Sequence, residues 1–244
     1  MIYVYDGSFN SLLTALGKAI KRKETPEEII TAEDASSLLL GELFHTGCDN
    51  QGAERFSAII EKKSSRTLSS LCTAYLSELK GFEMKSLRFL QAVSEKGDAA
   101  LDNLADERIR AMQLLTQKVT CEHHRMLGLL RFSELSDGTF YAPFEPDHNI
   151  TGMIAPHFSK RLPHDWIIHD LRRNIAAIHR HRRWELFSIE ENSPIVYSDK
   201  ELEYRSIWQH YYKEIAIPER KNPLCQRRFM PTRYWKHLTE RQTK

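Results

Sequence analysis

The stretch GLLRFSELSDGTFYAPFEP, residues 128–146, is where the chain changes character. Two β-prone arms, 128–135 and 139–146, flank Asp137-Gly138, and an Asp-Gly pair between such arms predicts a hairpin because its glycine takes a positive φ without penalty. Before this point apolar residues recur three and four apart. That spacing predicts helices over Ala35 to Phe44, Ala53 to Lys62, Leu68 to Leu79, Met84 to Ser94 and Asp106 to about Thr120. Asp106 reads as the cap of the last, whose buried face would be Ile109, Met112, Leu115 and Val119. Gly47, Gly52, Gly81 and Gly97 fall where helices should end.

After the hairpin, Asn149 to Arg161 reads as a helix strained by Pro156, and WIIHDL (166–171), IAAIHRH (175–181) and WELFSI (184–189) read as strands. Asp199 to Ile215 is helical again, with Tyr204, Ile207, Trp208, Tyr211 and Ile215 on one stripe for the core or a partner, and Pro218 and Pro223 end it. At the start, IYVY (2–5) is a short strand closed by Asp6-Gly7. Ser8 then caps a helix from Phe9 to about Lys21, with Leu12, Leu13, Leu16 and Ile20 on one face. Thr25-Pro26-Glu27-Glu28 has capping-box spacing. Helices in the first half, antiparallel strands in the second and a helical, basic C-terminal tail make the class α+β. The expected organisation is one domain over 1–244: helical at about 8–120, strand-rich at about 128–190, tail at 199–244. The first strand is a candidate to join the later sheet.

Composition narrows the classes. A chain of 244 residues, 41% hydrophobic and 28% charged, can bury a sizeable core and carries no disordered tract. Cys48, Cys72, Cys121 and Cys225 are scattered without a C-x-x-C pair, which suits reduced thiols rather than a disulfide frame or zinc knuckle. MIYVYDGSF lacks the features of a signal peptide, and no apolar run approaches the roughly 18 to 20 residues of a membrane helix. A cytoplasmic protein without membrane contact is expected. The net charge of +2 hides an asymmetry: residues 218–244 hold eight cations against Glu219 and Glu240, a net +6, so the preceding 217 residues carry −4. Concentrated positive charge is what a polyanionic partner reads.

Five segments carry a likeness: MIYVYDGSFNSLLTAL (1–16), EHHRMLGLLRF (122–132), APHF (155–158), WIIHDLRR (166–173) and NPLCQRRFMPTRYWKHLTE (222–240). Nearly end to end and in order, they resemble a probable DNA-metabolism family of unknown function. Members look like the N-terminal portion of certain uracil-DNA glycosylase-like fusion proteins. The stand-alone form is associated with a putative DNA modification or repair radical SAM protein. The resemblance implies a role in DNA metabolism or repair with that partner. Neither a glycosylase domain nor the C-x-x-x-C-x-x-C radical SAM signature is present in these residues, so such chemistry would belong to the partner.

The tail interleaves Arg227, Arg228, Arg233 and Lys236 with Phe229, Tyr234 and Trp235, cations for phosphates beside rings for stacking. The same pattern also suits aromatics packed on a core with solvated charges. A second basic run is Arg172-Arg173, then His179-Arg180-His181-Arg182-Arg183. In a strand over 175–183, Arg180 and Arg182 would share one face, as a phosphate-contacting surface or as the guard of an edge strand.

Acid–base candidates are Glu122, His124 and Arg125, from the run Glu122-His123-His124-Arg125 where a helix meets a strand. A structural alternative pairs Glu122 with Arg125 or Arg131. Vicinal histidines lack helical metal spacing. Convergence of His148, His157, His164 and His169 with Asp147, Asp165 and Asp170 is demanded by no spacing. No metal and no cofactor is predicted. G-x-S-x-G, Walker A and G-x-G-x-x-G are absent, and Ser8 is a cap whose helix end offers N–H groups to an anion. Three readings follow: a DNA-binding accessory of a radical SAM protein, an enzyme on nucleic acid or nucleotides using the Glu/His region, and a protein-binding adaptor.

Overall fold

Ile2–Tyr5 is a strand (β1) whose four residues are all buried, and Ser8 begins the next element by accepting the Ser11 backbone N–H. The computed structural model describes residues 1–36, 41–189 and 194–242. These fall into two compact units, Met1–Thr120 and Cys121–Lys244.

In the first unit, β1 leads into α1 (Phe9–Arg22), β2 (Ile29–Thr31), the single turn α2 (Ala32–Ala35) and β3 (Leu43–His45). The strands form a parallel sheet in the order β2-β1-β3, with Tyr3 opposite both Ile29 and Phe44. Both edges of β1 are thereby taken, and it does not join the later sheet as anticipated. The capping-box reading of Thr25–Glu28 is also overturned. Glu27 donates its backbone N–H to the Met1 carbonyl and the Glu28 carbonyl accepts from Tyr3, so this backbone is committed to the sheet. The helix expected over Ala35 to Phe44 gives way at its end to β3, because Ile2 and Thr46 bond across at Glu42 and Val4. Residues 37–40 of that expectation lie outside the described residues.

The remaining helices follow the periodicity: α3 (Asn50–Lys63), α4 (Ser65–Leu76), α5 (Phe82–Lys96) and α6 (Glu107–Leu129). Asp49 and Ser64 cap α3 and α4, and the Asp106 carboxylate accepts the Arg108 N–H at the start of α6. Their apolar faces close one core, with Leu12 and Leu16 of α1 among Leu71, Leu87 and Met112. Helix α6 continues nine residues past the expected end and crosses the division between units.

The second unit holds β4 (Ser133–Glu134), β5 (Phe140–Phe144), α7 (Thr151–Arg161), β6 (Trp166–Asp170), β7 (Ile175–Arg180), β8 (Arg183–Ser188), α8 (Asp199–Glu214) and α9 (Pro223–Phe229). Strand order is β4-β5-β6-β7-β8. The hairpin at Asp137-Gly138 forms, with Gly138 at φ 84°. The sheet is mixed rather than antiparallel: β5 and β6 run parallel, because α7 returns the chain to its starting end between them. On α8 the anticipated stripe of Tyr204, Ile207, Trp208, Tyr211 and Ile215 is exposed, so it is not core. Among the described residues no helix is long and apolar enough to cross a membrane.

Candidate nucleic-acid interface

The basic C-terminal segment splits into two environments. Asn222 caps α9 by accepting the Cys225 N–H, and Pro223 starts it with a φ already suited to a helix. This short helix presents Arg227 and Arg228 to solvent beside Phe229, which is 65% exposed, and Leu224, which is 78% exposed. Among the described residues neither arginine has an acidic partner; Arg228 lies over the Phe229 ring at 5.9 Å.

The next turn, Thr232–His237, is committed to the protein. Tyr234 is buried and donates its hydroxyl to Glu122. Arg233 pairs with Asp147 at 2.7 Å, lies 4.6 Å over the Tyr234 ring and donates to its hydroxyl. Lys236 pairs with Glu145. Trp235 donates its indole N–H to the Met230 carbonyl while Arg241 covers its ring at 4.3 Å. Burial pushes the Tyr234 phenol up, reinforced by the Glu122 carboxylate.

Glu122 itself is 2% exposed. Its oxygens accept the backbone N–H groups of Asp147 and His148 at 2.8 and 2.9 Å as well as the tyrosine hydroxyl. It therefore pins a loop and the C-terminal turn, and the pairing considered with Arg125 or Arg131 does not form; Arg131 binds Glu240 at 2.7 Å. Residues 122 and 124 sit about 200° apart around a helix, so His124 is exposed while Glu122 is buried. Arg125, half-buried, likewise does not reach the Glu122 carboxylate. The whole run lies within α6 rather than at a helix–strand junction.

The second basic run also divides. Arg173, half-buried, pairs with Asp170 at 2.9 Å and donates to the Pro146 and Asp147 carbonyls. Burial raises the Asp170 carboxyl against the opposing pull of Arg173. Arg172 is exposed. The strand expected over 175–183 ends at Arg180. His181 and Arg182 form a two-residue turn with φ 52° and 65°, and Arg180 pairs in register with Arg183. Arg180, Arg182 and Arg183 are exposed around that turn.

His179 and His169 serve packing. His179 stacks on Trp166 at 5.0 Å and 4°, with its Nδ1 on the His164 carbonyl. Tyr141 and His169 share a 2.9 Å hydrogen bond. Among the described residues no three His, Cys, Asp or Glu side chains gather to hold a metal ion. At the start of α1, Asp6 accepts the Ser8 N–H, and these bonds hold its carboxyl below the usual range; the anion at this helix end is the protein's own.

Sequence reasoning missed Asp147 and Glu145 as the acids that claim Arg233 and Lys236. Their signal is slight, since Glu145-Pro146-Asp147 reads as a polar turn after a strand. A family model described as a domain of unknown function, DUF4130, matches residues 80–240. No curated protein and no solved structure matches the chain.

Proposed function

We propose that this chain, which belongs to the DUF4130 family of domains of unknown function, is a cytoplasmic accessory protein of DNA metabolism or repair that binds DNA and works with a radical SAM partner. The DNA-metabolism role and the partner rest on the resemblance in the five segments quoted above. The DNA contact rests on one observation: Arg227 and Arg228 are exposed and unclaimed by any acid among the described residues, beside an exposed Phe229. Cations free to neutralise phosphates, next to a ring free to stack, are what sequence-tolerant binding to unpaired strands requires. Arg233, Tyr234, Trp235 and Lys236 support the segment that carries them. Arg172, Arg180 and Arg182 are further exposed cations of the same unit, and Arg173 holds the Pro146–Asp147 loop.

An adaptor role alone has its own support in the exposed aromatic stripe of α8, which suits the partner-docking half of the proposal. The enzyme reading loses its pairing, because Glu122 and His124 do not meet.

The test is fluorescence anisotropy with single- and double-stranded DNA at two salt concentrations. Arg227→Ala/Arg228→Ala is expected to abolish most affinity and lower the salt slope by on the order of one to two. Arg233→Ala/Lys236→Ala, whose cations are already paired, is expected to change it little. Salt-insensitive or absent binding by the wild type sinks the DNA contact and leaves the adaptor role.

A further inference from the structure

The first unit carries a groove of about 780 Å³ between α1, α3 and α5, lined also by the start of α4. Leu13, Ile20, Phe56, Ile60, Leu90 and Val93 give it an apolar wall, and Thr14, Lys18, Asp49, Arg55, Ser94 and Asp98 are among the polar residues that also line it. The size lies within the range of small-molecule sites, roughly 300–1,000 Å³. Asn10 bonds Asn50, and Gly17 faces the Phe56 ring, so α1 and α3 run in the same direction. Lys21 and Lys63 consequently fall at one end of the groove, where Ser64 and Thr67 also line it.

That end is the cationic one. Lys18 gives its ammonium to the Thr46 carbonyl, Arg55 reaches Gln51, Asp98 is paired with Arg66, and Asp49 caps α3. Lys21 and Lys63 are exposed and make no ion pair among the described residues.

We infer that the groove binds a fatty-acyl anion, its chain along the aliphatic walls and its head at Lys21 and Lys63. A nucleotide fits less well, since the lining offers one ring, Phe56, for stacking. The inference is independent of DNA binding at α9.

Decanoate, below its micellar concentration, is titrated calorimetrically into the whole protein. One molecule is expected to bind per chain, with decyltrimethylammonium binding at least tenfold more weakly. Lys21→Ala/Lys63→Ala changes only exposed side chains and is expected to weaken decanoate at least tenfold with the melting temperature unchanged. Absence of decanoate binding, equal binding of the cationic amphiphile, unchanged affinity in the double lysine variant, or binding of a deoxynucleoside monophosphate in its place overturns the assignment.

Discussion

Glu122 is a carboxylate out of water with three donors around it and, among the described residues, no cation bonded to it, an arrangement stable only while each donor stays in place. Two of the donors are backbone N–H groups of the loop at Asp147 and His148. The third, the Tyr234 hydroxyl, comes from 112 residues further along the chain. The bond does structural work that neither residue's neighbours in sequence announce. Read locally, Glu122 belongs with His124 as an acid–base candidate, and Tyr234 belongs with the arginines as a stacking ring. Only the fold brings them together, because no spacing rule relates residues so far apart. Tyr234→Phe keeps the ring and removes one donor to a charged acceptor, a change costing about 2 kcal/mol. Urea unfolding should show that loss. Arg233→Ala should cost under about 1 kcal/mol, since the ion pair it breaks is half in solvent. A larger effect from Arg233 than from Tyr234 would mean that the ion pair, not the buried bond, anchors the C-terminal turn.

Among the elements, helices and strands with a strong period were legible, and sheet topology was not. Asn149 to Arg161 reads as a helix between two strands, which is the pattern of a parallel crossover, yet the abundance of hairpin-like strands around it suggests an antiparallel sheet. The β7–β8 connection misleads in the opposite sense. A run of alternating His and Arg looks like continued strand, because neither His181 nor Arg182 belongs to the usual turn residues. Both nevertheless hold a positive φ, the conformation that a two-residue hairpin of matching twist demands. Side chains with a Cβ pay for that conformation, so the turn is paid for by the ladder on either side. His181→Asn/Arg182→Gly is expected to stabilise the unit by about 1–2 kcal/mol. Slower amide exchange along Ala176–His179 would register it. Faster exchange would mean that the turn side chains hold the hairpin through contacts of their own.

For the molecule as a whole, the sequence marks the change from helix to sheet near residue 128, while the division between compact units falls inside α6, where the apolar period runs on unbroken. Charge is legible as a total and not as an arrangement: the +6 of residues 218–244 says nothing of which cations Asp147 and Glu145 take. Protonation shows the same limit, since burial decides it. Burial lowers three histidines in the second unit. His123 faces the Met153 carbonyl with His124 and His157 near, His169 faces Tyr141 with Asp170 near, and His237 lies between Glu145 and Lys236. A histidine whose folded pKa is below its unfolded value of about 6.5 binds more protons when unfolded, so stability falls as pH drops through that value toward the folded ones. Asp170 and Glu83 act with the opposite sign. Burial raises both, so from the folded pKa down toward about 4 they return some stability as acid is added. The histidines predict a melting temperature that declines as pH falls from about 6.5, and the two raised carboxyls offset part of that decline before the lowered ones, Asp106 and Glu240 among them, lose their stabilisation in more acid solution. His237→Gln should flatten the upper part of that decline relative to wild type. A profile level from pH 7.5 to 5, or one that His237→Gln leaves as steep as before, would show that the buried imidazoles do not set the acid limit of the fold.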